Sequence, residues 1–401
     1  MVDRVVAALA GLSLLCVFLL PSQSAASFPT YLVALIVLFG GRERWRVFAG
    51  ARILSVLFVV LLVYFSASVW WSGDYSPRGA FSVFSRCVLM LSFVVALSSS
   101  LRRVPESTQW LPRALALASG VAAVVALVDF YRHPTWDGRL VGLGQLRNSV
   151  VAGLAFAAGL IVSLSVWLAG GTRWRWIGAA CAGLAVLAIY STGSRNAYLS
   201  GAVGVWTMLV LWHRWQSPRL VLWLAVPVLG VLAVVALFAA NPAWTDTLFP
   251  RGDSFRLEIW RAEWQRLAAH GVWFGLGILV RDDVVLQGQD FAHPHSLYLA
   301  SALQGGLVGL LLLLGVLSCA GFGLYRARRL PEARLGGALL ATGMSAYLLD
   351  GWELIDKVSL SWLLLWMPVA IAMAVGVRSK MGNSLGNVSA NPAVDPAGGR
   401  P

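Results

Sequence analysis

Charge is scarce in this sequence: Asp, Glu, Lys and Arg together supply 12% of 401 residues, against 58% hydrophobic residues and a mean hydropathy of +0.74. Soluble domains carry about 25% charged residues, so there is too little polar surface here to coat a soluble globule. Cysteine is scarce too. Cys16, Cys87, Cys181 and Cys319 all fall inside apolar stretches with no metal-like spacing, which argues against both a disulfide framework and a zinc site and reads as small buried hydrophobes. Adjacent acidic pairs are almost missing. Asp282-Asp283 and the looser group Asp350, Glu353 and Asp356 are the candidates, and neither has a spacing that demands a divalent cation. No internal repeat is evident.

What the chain does have is long apolar runs. Only helices and closed barrels satisfy their backbone across roughly 30 Å of hydrocarbon. Unbroken runs such as Leu220 to Ala240 and Leu307 to Leu317 lack the alternation of barrel strands. The expectation is an all-α integral membrane protein with about 12 transmembrane helices, near 4–21, 27–40, 52–72, 80–99, 114–130, 149–169, 176–191, 197–213, 220–240, 296–324, 335–349 and 358–377. The second is short and calls for extension into its flanks or little tilt. The first could serve as a signal peptide, with Met1 to Arg4 as its basic start, but reads better as a retained helix. Residues 1–380 form one polytopic domain with a large loop at 241–294, and 381–401, rich in Gly, Asn, Ser, Pro and Ala, read as a disordered cytoplasmic tail.

The net charge of +13 is distributed as a topology signal rather than as a nucleic-acid surface. Basic clusters recur in every second connection: Arg42, Arg44 and Arg46; Arg102, Arg103 and Arg113; Arg173 and Arg175; Arg214 and Arg219; Arg326, Arg328, Arg329 and Arg334; Arg378 and Lys380. These belong in the cytoplasm, which puts both termini inside and the large loop in the periplasm.

A second set of arginines lies on the opposite side: Arg132, Arg139, Arg147, Arg195, Arg251, Arg256, Arg261, Arg266 and Arg281. Guanidinium forks suit phosphate oxygens, and a lipid-linked diphosphate is the natural anion. The bland reading pairs these arginines with Asp137, Glu258, Glu263, Asp282 and Asp283 or with headgroups, and for any single one it is the commoner outcome. Arg195 stands out because it sits in the tight polar turn Tyr190 to Asn196 between two apolar helices. Arg256 opens a helical stretch, Asp253 to His270, with Leu257, Trp260, Trp264 and Leu267 along one side and Asp253 as its cap. That pattern suits an amphipathic helix lying in the interface, on which an interfacial snorkelling arginine is the rival reading.

His293 and His295 stand where the loop re-enters the membrane, in Phe291 to Ser296. A neutral imidazole is the usual group for taking a proton from a hydroxyl near pH 7. His295, at the head of a long helix, is the better placed of the two, although such a pair is more often capping or packing. His133 and His270 carry no functional signal, and His213 lies on the cytoplasmic side.

At these residues the sequence resembles the O-antigen ligase and polymerase superfamily, from about Arg139 to Val375. Arg139-Leu-Val-Gly142 with Asn148 looks like its Arg-x-x-Gly and Asn element, and Ser194-Arg195 like its Ser-Arg turn. Arg256, Trp260 and Gly275-Leu-Gly277 resemble its Arg-x-x-x-Trp stretch ending in Gly-x-Gly. His295-Ser296 followed by Gly306-x-x-Gly309 is the most specific match. The resemblance implies transfer of a polysaccharide from undecaprenyl diphosphate to a sugar hydroxyl of lipid A core at the inner membrane of a Gram-negative cell, with no nucleotide, metal or other cofactor. It makes His295 the base, and Arg195 and Arg256 the diphosphate ligands. Arg139, Asn148, Arg261, His293 and Asp350 become candidates for shaping the cavity or touching substrate. Beside the two substrates, only membrane lipids are implied as partners. The polymerase branch shares the donor and remains open. A transporter fits less well, because the spans are nearly free of charge, with Arg86 and Asp129 close to span ends.

Overall fold

The structure, a computed structural model, describes residues 1–212, 255–280, 284–286, 289–291 and 293–376. Its helices are α1 (Val2–Leu19), α2 (Gln23–Phe39), the short α3 (Arg46–Gly50), α4 (Arg52–Ala67), α5 (Pro77–Arg103), α6 (Ser107–Arg132), α7 (Ser149–Ala169), α8 (Thr172–Thr192) and α9 (Arg195–Trp212). After the large loop's α10 (Arg256–His270) come α11 (Leu297–Arg326), α12 (Pro331–Ala346) and α13 (Trp362–Gly376). A small antiparallel hairpin, β1 (Val284–Leu286) with β2 (Gln289–Phe291), adds strand to a fold expected to be all helix. Seven of the described helices are long and apolar enough to cross a bilayer, and α2 and α13 are shorter apolar helices. The span expected at 220–240 and the tail at 381–401 lie outside the described residues.

The bundle is apolar outside as well as inside. Tyr31, Leu35 and Leu38 on α2, and Ile53, Val56, Val60 and Val63 on α4, are exposed at helical spacing. Such stripes are stable only against hydrocarbon. The short second span is resolved by extension toward its N-terminal flank, where the Ser22 hydroxyl caps Ala25 N–H at 3.2 Å. α13 is central: residues 361–375 are buried throughout. Its Trp366 packs on Phe58 at 5.5 Å and its Trp362 on Phe93 at 4.8 Å between ring centroids.

The two ends of α1 mark the two ends of the bundle. At its start Asp3 binds Arg44 at 3.0 Å and Arg103 at 3.5 Å, and Arg103 also reaches Glu43 at 3.1 Å. These belong to the basic clusters of the sequence. Its other end, about 27 Å away at 1.5 Å per residue, borders the cavity described below, so the clusters of Arg44 and Arg103 and the cavity occupy opposite ends.

The glycine motifs have a backbone explanation. Gly306 breaks α11 with φ 63° and ψ −167°, a conformation essentially restricted to glycine. The segment 272–277 lies across the break. Leu276 N–H donates to Leu303 O at 2.7 Å and Gly277 N–H to Gln304 O at 3.0 Å, while Leu307 N–H donates to Val272 O at 2.8 Å. Polar groups freed by the kink are thereby satisfied inside the membrane protein. A Cβ on Gly306 would fall on the Trp273 carbonyl, and one on Gly275 on the backbone of 303–306. Ser68 and Ser72, at the two ends of the 3-10 turn that follows α4, accept from Ile278 and Leu279 N–H at 3.1 and 3.0 Å, fixing the segment from its other side.

α10 differs in detail from its sequence reading. Asp253, the expected cap, lies outside the described residues, and the residue before the helix is Phe255 with φ 62° and no side-chain cap. Leu257 and Trp264 are exposed, and the buried face is Ile259, Glu263 and Leu267. Of the expected stripe only Leu267 is fully buried, seated against Ala302 and Leu303 of α11, and that contact turns Ile259 and Glu263 inward in place of Leu257 and Trp264. Burial raises the Glu263 carboxyl above its usual range, opposed by Arg266 at 3.6 Å. For Arg266 the bland pairing therefore holds.

Candidate active site

Three segments converge at the cavity end. α7 starts at Asn148, whose side chain caps Val150 and Val151 N–H at 2.8 and 3.3 Å. α10 is fastened to the histidine segment by Trp260, whose indole N–H donates to Pro294 O at 2.8 Å. α11 is fastened to the turn after α12 through Leu297 N–H, shared between Tyr347 O at 3.0 Å and Asp350 O at 3.2 Å.

Together they enclose a cavity of about 660 Å³ whose lining includes Arg256, His293, His295, Asn148 and Asp350. Five of the eight residues singled out in the sequence thus meet at one place. His295 is not the helix cap: Ser296 takes that role toward Leu299, and His295 precedes it with a left-handed φ of 51°. The turn aims its ring at Asp350, with Nδ1 and Oδ1 3.8 Å apart. His293 lies edge-on to His295 at 4.0 Å between centroids and parallel to Trp352. Burial, then the neighbouring His295, lowers the His293 pKa against the pull of Asp350, which keeps that imidazole neutral at pH 7.

Arg256, Arg86, Gln145 and His293 each carry a buried nitrogen with no hydrogen-bond partner among the described residues, and all four line this cavity. Unsatisfied buried donors cost about 1–3 kcal/mol each. Their concentration at one cavity suits a ligand rich in oxygen acceptors.

Arg139, Arg195 and Arg261 are not in that lining. Arg139 gives its Nε–H to Thr192 O at 2.8 Å and so clamps the turn between α8 and α9. Arg195 starts α9 with an exposed side chain, and Arg261 is on the exposed face of α10. The direction of a side chain from its helix is not visible in a motif. His133 hydrogen-bonds Asp129 at 3.1 Å, a local pairing in keeping with its lack of functional signal.

Sequence reasoning passed over Arg86. It lies about 13 Å along α5 from Pro77, at 1.5 Å per residue, rather than near a span end, and faces Glu353 at 3.6 Å in the cavity wall. A lone arginine in an apolar run was the available signal. Glu353 has its pKa pushed up to about 8 by burial and by neighbouring Asp356, against the opposing pull of Arg86. An acid with a raised folded-state pKa stabilises the fold fully below its unfolded value near 4.5 and loses that contribution as pH rises through about 8. Thermal unfolding in detergent should therefore show wild-type stability falling between pH 4.5 and 8.5, and Glu353→Gln should flatten the slope.

Comparison with known proteins adds two findings. Residues 180–314 match the family model described as O-antigen ligase. The chain is also 27% identical over 337 residues to the O-antigen ligase of Pseudomonas aeruginosa, covering 82% of this chain and 79% of that one. The matched block contains the turn at Arg195, Arg256, both histidines and the glycines of the α11 break. The resemblance carried by the motifs therefore extends over most of the chain.

Proposed function

We propose that this protein is an O-antigen ligase: a multi-pass inner-membrane glycosyltransferase that moves a glycan from undecaprenyl diphosphate to a sugar hydroxyl of lipid A core on the periplasmic side. The observation that carries the reading is the meeting of His295, Asp350 and Arg256 in one cavity, at the end of the bundle opposite the basic clusters. By the positive-inside rule the cavity end is periplasmic.

The residues divide the chemistry. Asp350 faces Nδ1 of His295 and favours the tautomer that leaves Nε2 free to accept. His295 Nε2 takes the proton of the acceptor hydroxyl as its oxygen forms a bond to the anomeric carbon. The bond from that carbon to the diphosphate oxygen breaks, its electron pair leaves with the diphosphate, and the anomeric configuration inverts. Arg256, half-buried with an unpartnered Nε, holds the departing charge. Arg195, outside the lining, receives the diphosphate as the donor approaches from the membrane. Asn148 shapes the cavity while capping α7, and His293 contributes a neutral wall.

The test is reconstitution of the purified protein with a lipid-diphosphate glycan and a core acceptor, followed by gel shift of the acceptor. Transfer should persist in EDTA; loss that Mg²⁺ restores would sink the metal-free scheme. Asp350→Asn should lower the rate by up to about 10⁴-fold, the cost of replacing the carboxylate that sets the tautomer of a catalytic histidine, with the donor KM little changed. A product lengthened on the lipid diphosphate instead of on the core would replace ligase by polymerase.

A further inference from the structure

One wall of the histidine cavity is shared with a neighbouring cavity, and its residues, His293 apart, are left unused by the transfer scheme above. Arg86 donates to Ile355 O at 3.3 Å and faces Glu353 at 3.6 Å. Asp356 is nearly buried and already engaged, accepting from Gln23 Nε2 at 3.2 Å and from Lys357 N–H at 2.6 Å. Trp352 keeps 38% of its surface exposed beside them. A second cavity of about 470 Å³ lies next door, and Arg86, His293, Trp352 and Glu353 line both. These four side chains are thus a partition, one face of which is 4.0 Å from the His295 ring through His293.

The chemistry of this partition does not suit a diphosphate. Arg86 already donates to the Ile355 carbonyl and faces Glu353, and Asp356 in the same wall is engaged as an acceptor, so phosphate oxygens would meet a single shared guanidinium there. A neutral saccharide is different. Its C–H face packs on an indole, and its hydroxyls both donate and accept, so they satisfy a carboxyl oxygen and a guanidinium N–H together. The buried, unpartnered Arg86 Nε and Gln145 Nε2 supply donors of the required kind.

We infer that this partition is the acceptor-sugar subsite: Trp352 packs on the ring of the acceptor saccharide, while Arg86 and Glu353 bind its hydroxyls and so select which one reaches His295. The inference rests on His295 serving as the base in glycosyl transfer. It divides the site, with donor diphosphate at Arg256 and acceptor sugar at Arg86 and Trp352.

The test uses the full-length protein in detergent, with soluble core oligosaccharide and a lipid-diphosphate glycan as probes. Trp352→Ala should raise the acceptor KM at least 10-fold with the donor KM within 2-fold, and Trp352→Tyr should recover most of it. Glu353→Gln should discriminate less than wild type between the acceptor and an analogue lacking one hydroxyl, because a site built to bind a hydroxyl rejects its absence strongly. Calorimetry with the oligosaccharide alone reads binding without turnover, and Trp352→Ala should weaken it 10-fold while His295→Asn leaves it measurable. Donor and acceptor KM moving together, or neither moving, would overturn the subsite. Saccharide binding that needs Trp352 in a protein without transfer activity would uphold the subsite and overturn the reaction. Absence of both binding and transfer would overturn both.

Discussion

His295→Asn is expected to yield a folded protein whose transfer rate is about 10²- to 10⁴-fold lower, the range for losing a positioned base. Asparagine is the informative replacement because it tolerates the left-handed backbone that His295 adopts at φ 51°. The loss then reports the missing imidazole rather than strain at the head of α11. Arg256→Ala should cost about 10²- to 10³-fold, as for removing one donor aimed at developing charge. Arg256→Lys should restore only part, since an ammonium keeps the charge but not the planar fork. In a strain lacking its own ligase, both variants should leave bare core with lipid-linked polymer accumulating. A full ladder of long-chain lipopolysaccharide from either variant, expressed at the normal level, would end the proposed mechanism.

Gly306→Ala is expected to damage both stability and transfer, although Gly306 contributes no functional group. Its backbone conformation costs a residue with a Cβ about 1–3 kcal/mol, and that Cβ would also meet the Trp273 carbonyl. Backbone cannot move aside cheaply here, because 272–277 is hydrogen-bonded to both sides of the break. α10 and the histidine segment hang from the same region, so loosening it separates Arg256 from His295. Gly309→Ala is the control. Its Cβ would stand 3.0 Å from the Phe65 ring and 3.3 Å from that of Tyr64, and rings at the end of a side chain can shift, so a milder loss is expected. Thermal melts with parallel transfer assays check this; equal melting temperatures for wild type and Gly306→Ala would show that the break is not structural.

Much of the candidate site was legible. His295, His293, Arg256, Asn148 and Asp350 were singled out from residue type, side of the membrane and motif resemblance, and they line one cavity. Arg139 was singled out on the same grounds, but its guanidinium is engaged with the Thr192 carbonyl. Arg86 was passed over although it is a lone arginine in an apolar run, and nothing local marks Trp352: one comes from α5 and the other from beyond α12, and they meet only when the helices pack.

The sequence by itself determined the solvent this protein is built for, the run of apolar helices, the asymmetry of its charged ends and the residue types suited to the proposed chemistry. Those properties are written in composition and short-range periodicity. Tertiary structure alone decided which candidates share a cavity, that α10 buries Ile259 and Glu263 beside Leu267 while Leu257 and Trp264 of its stripe stay exposed, and why the glycines stand where they do. These depend on contacts between residues tens to hundreds of positions apart. An exposed guanidinium and one aimed into a cavity look alike until the neighbouring helix is in place.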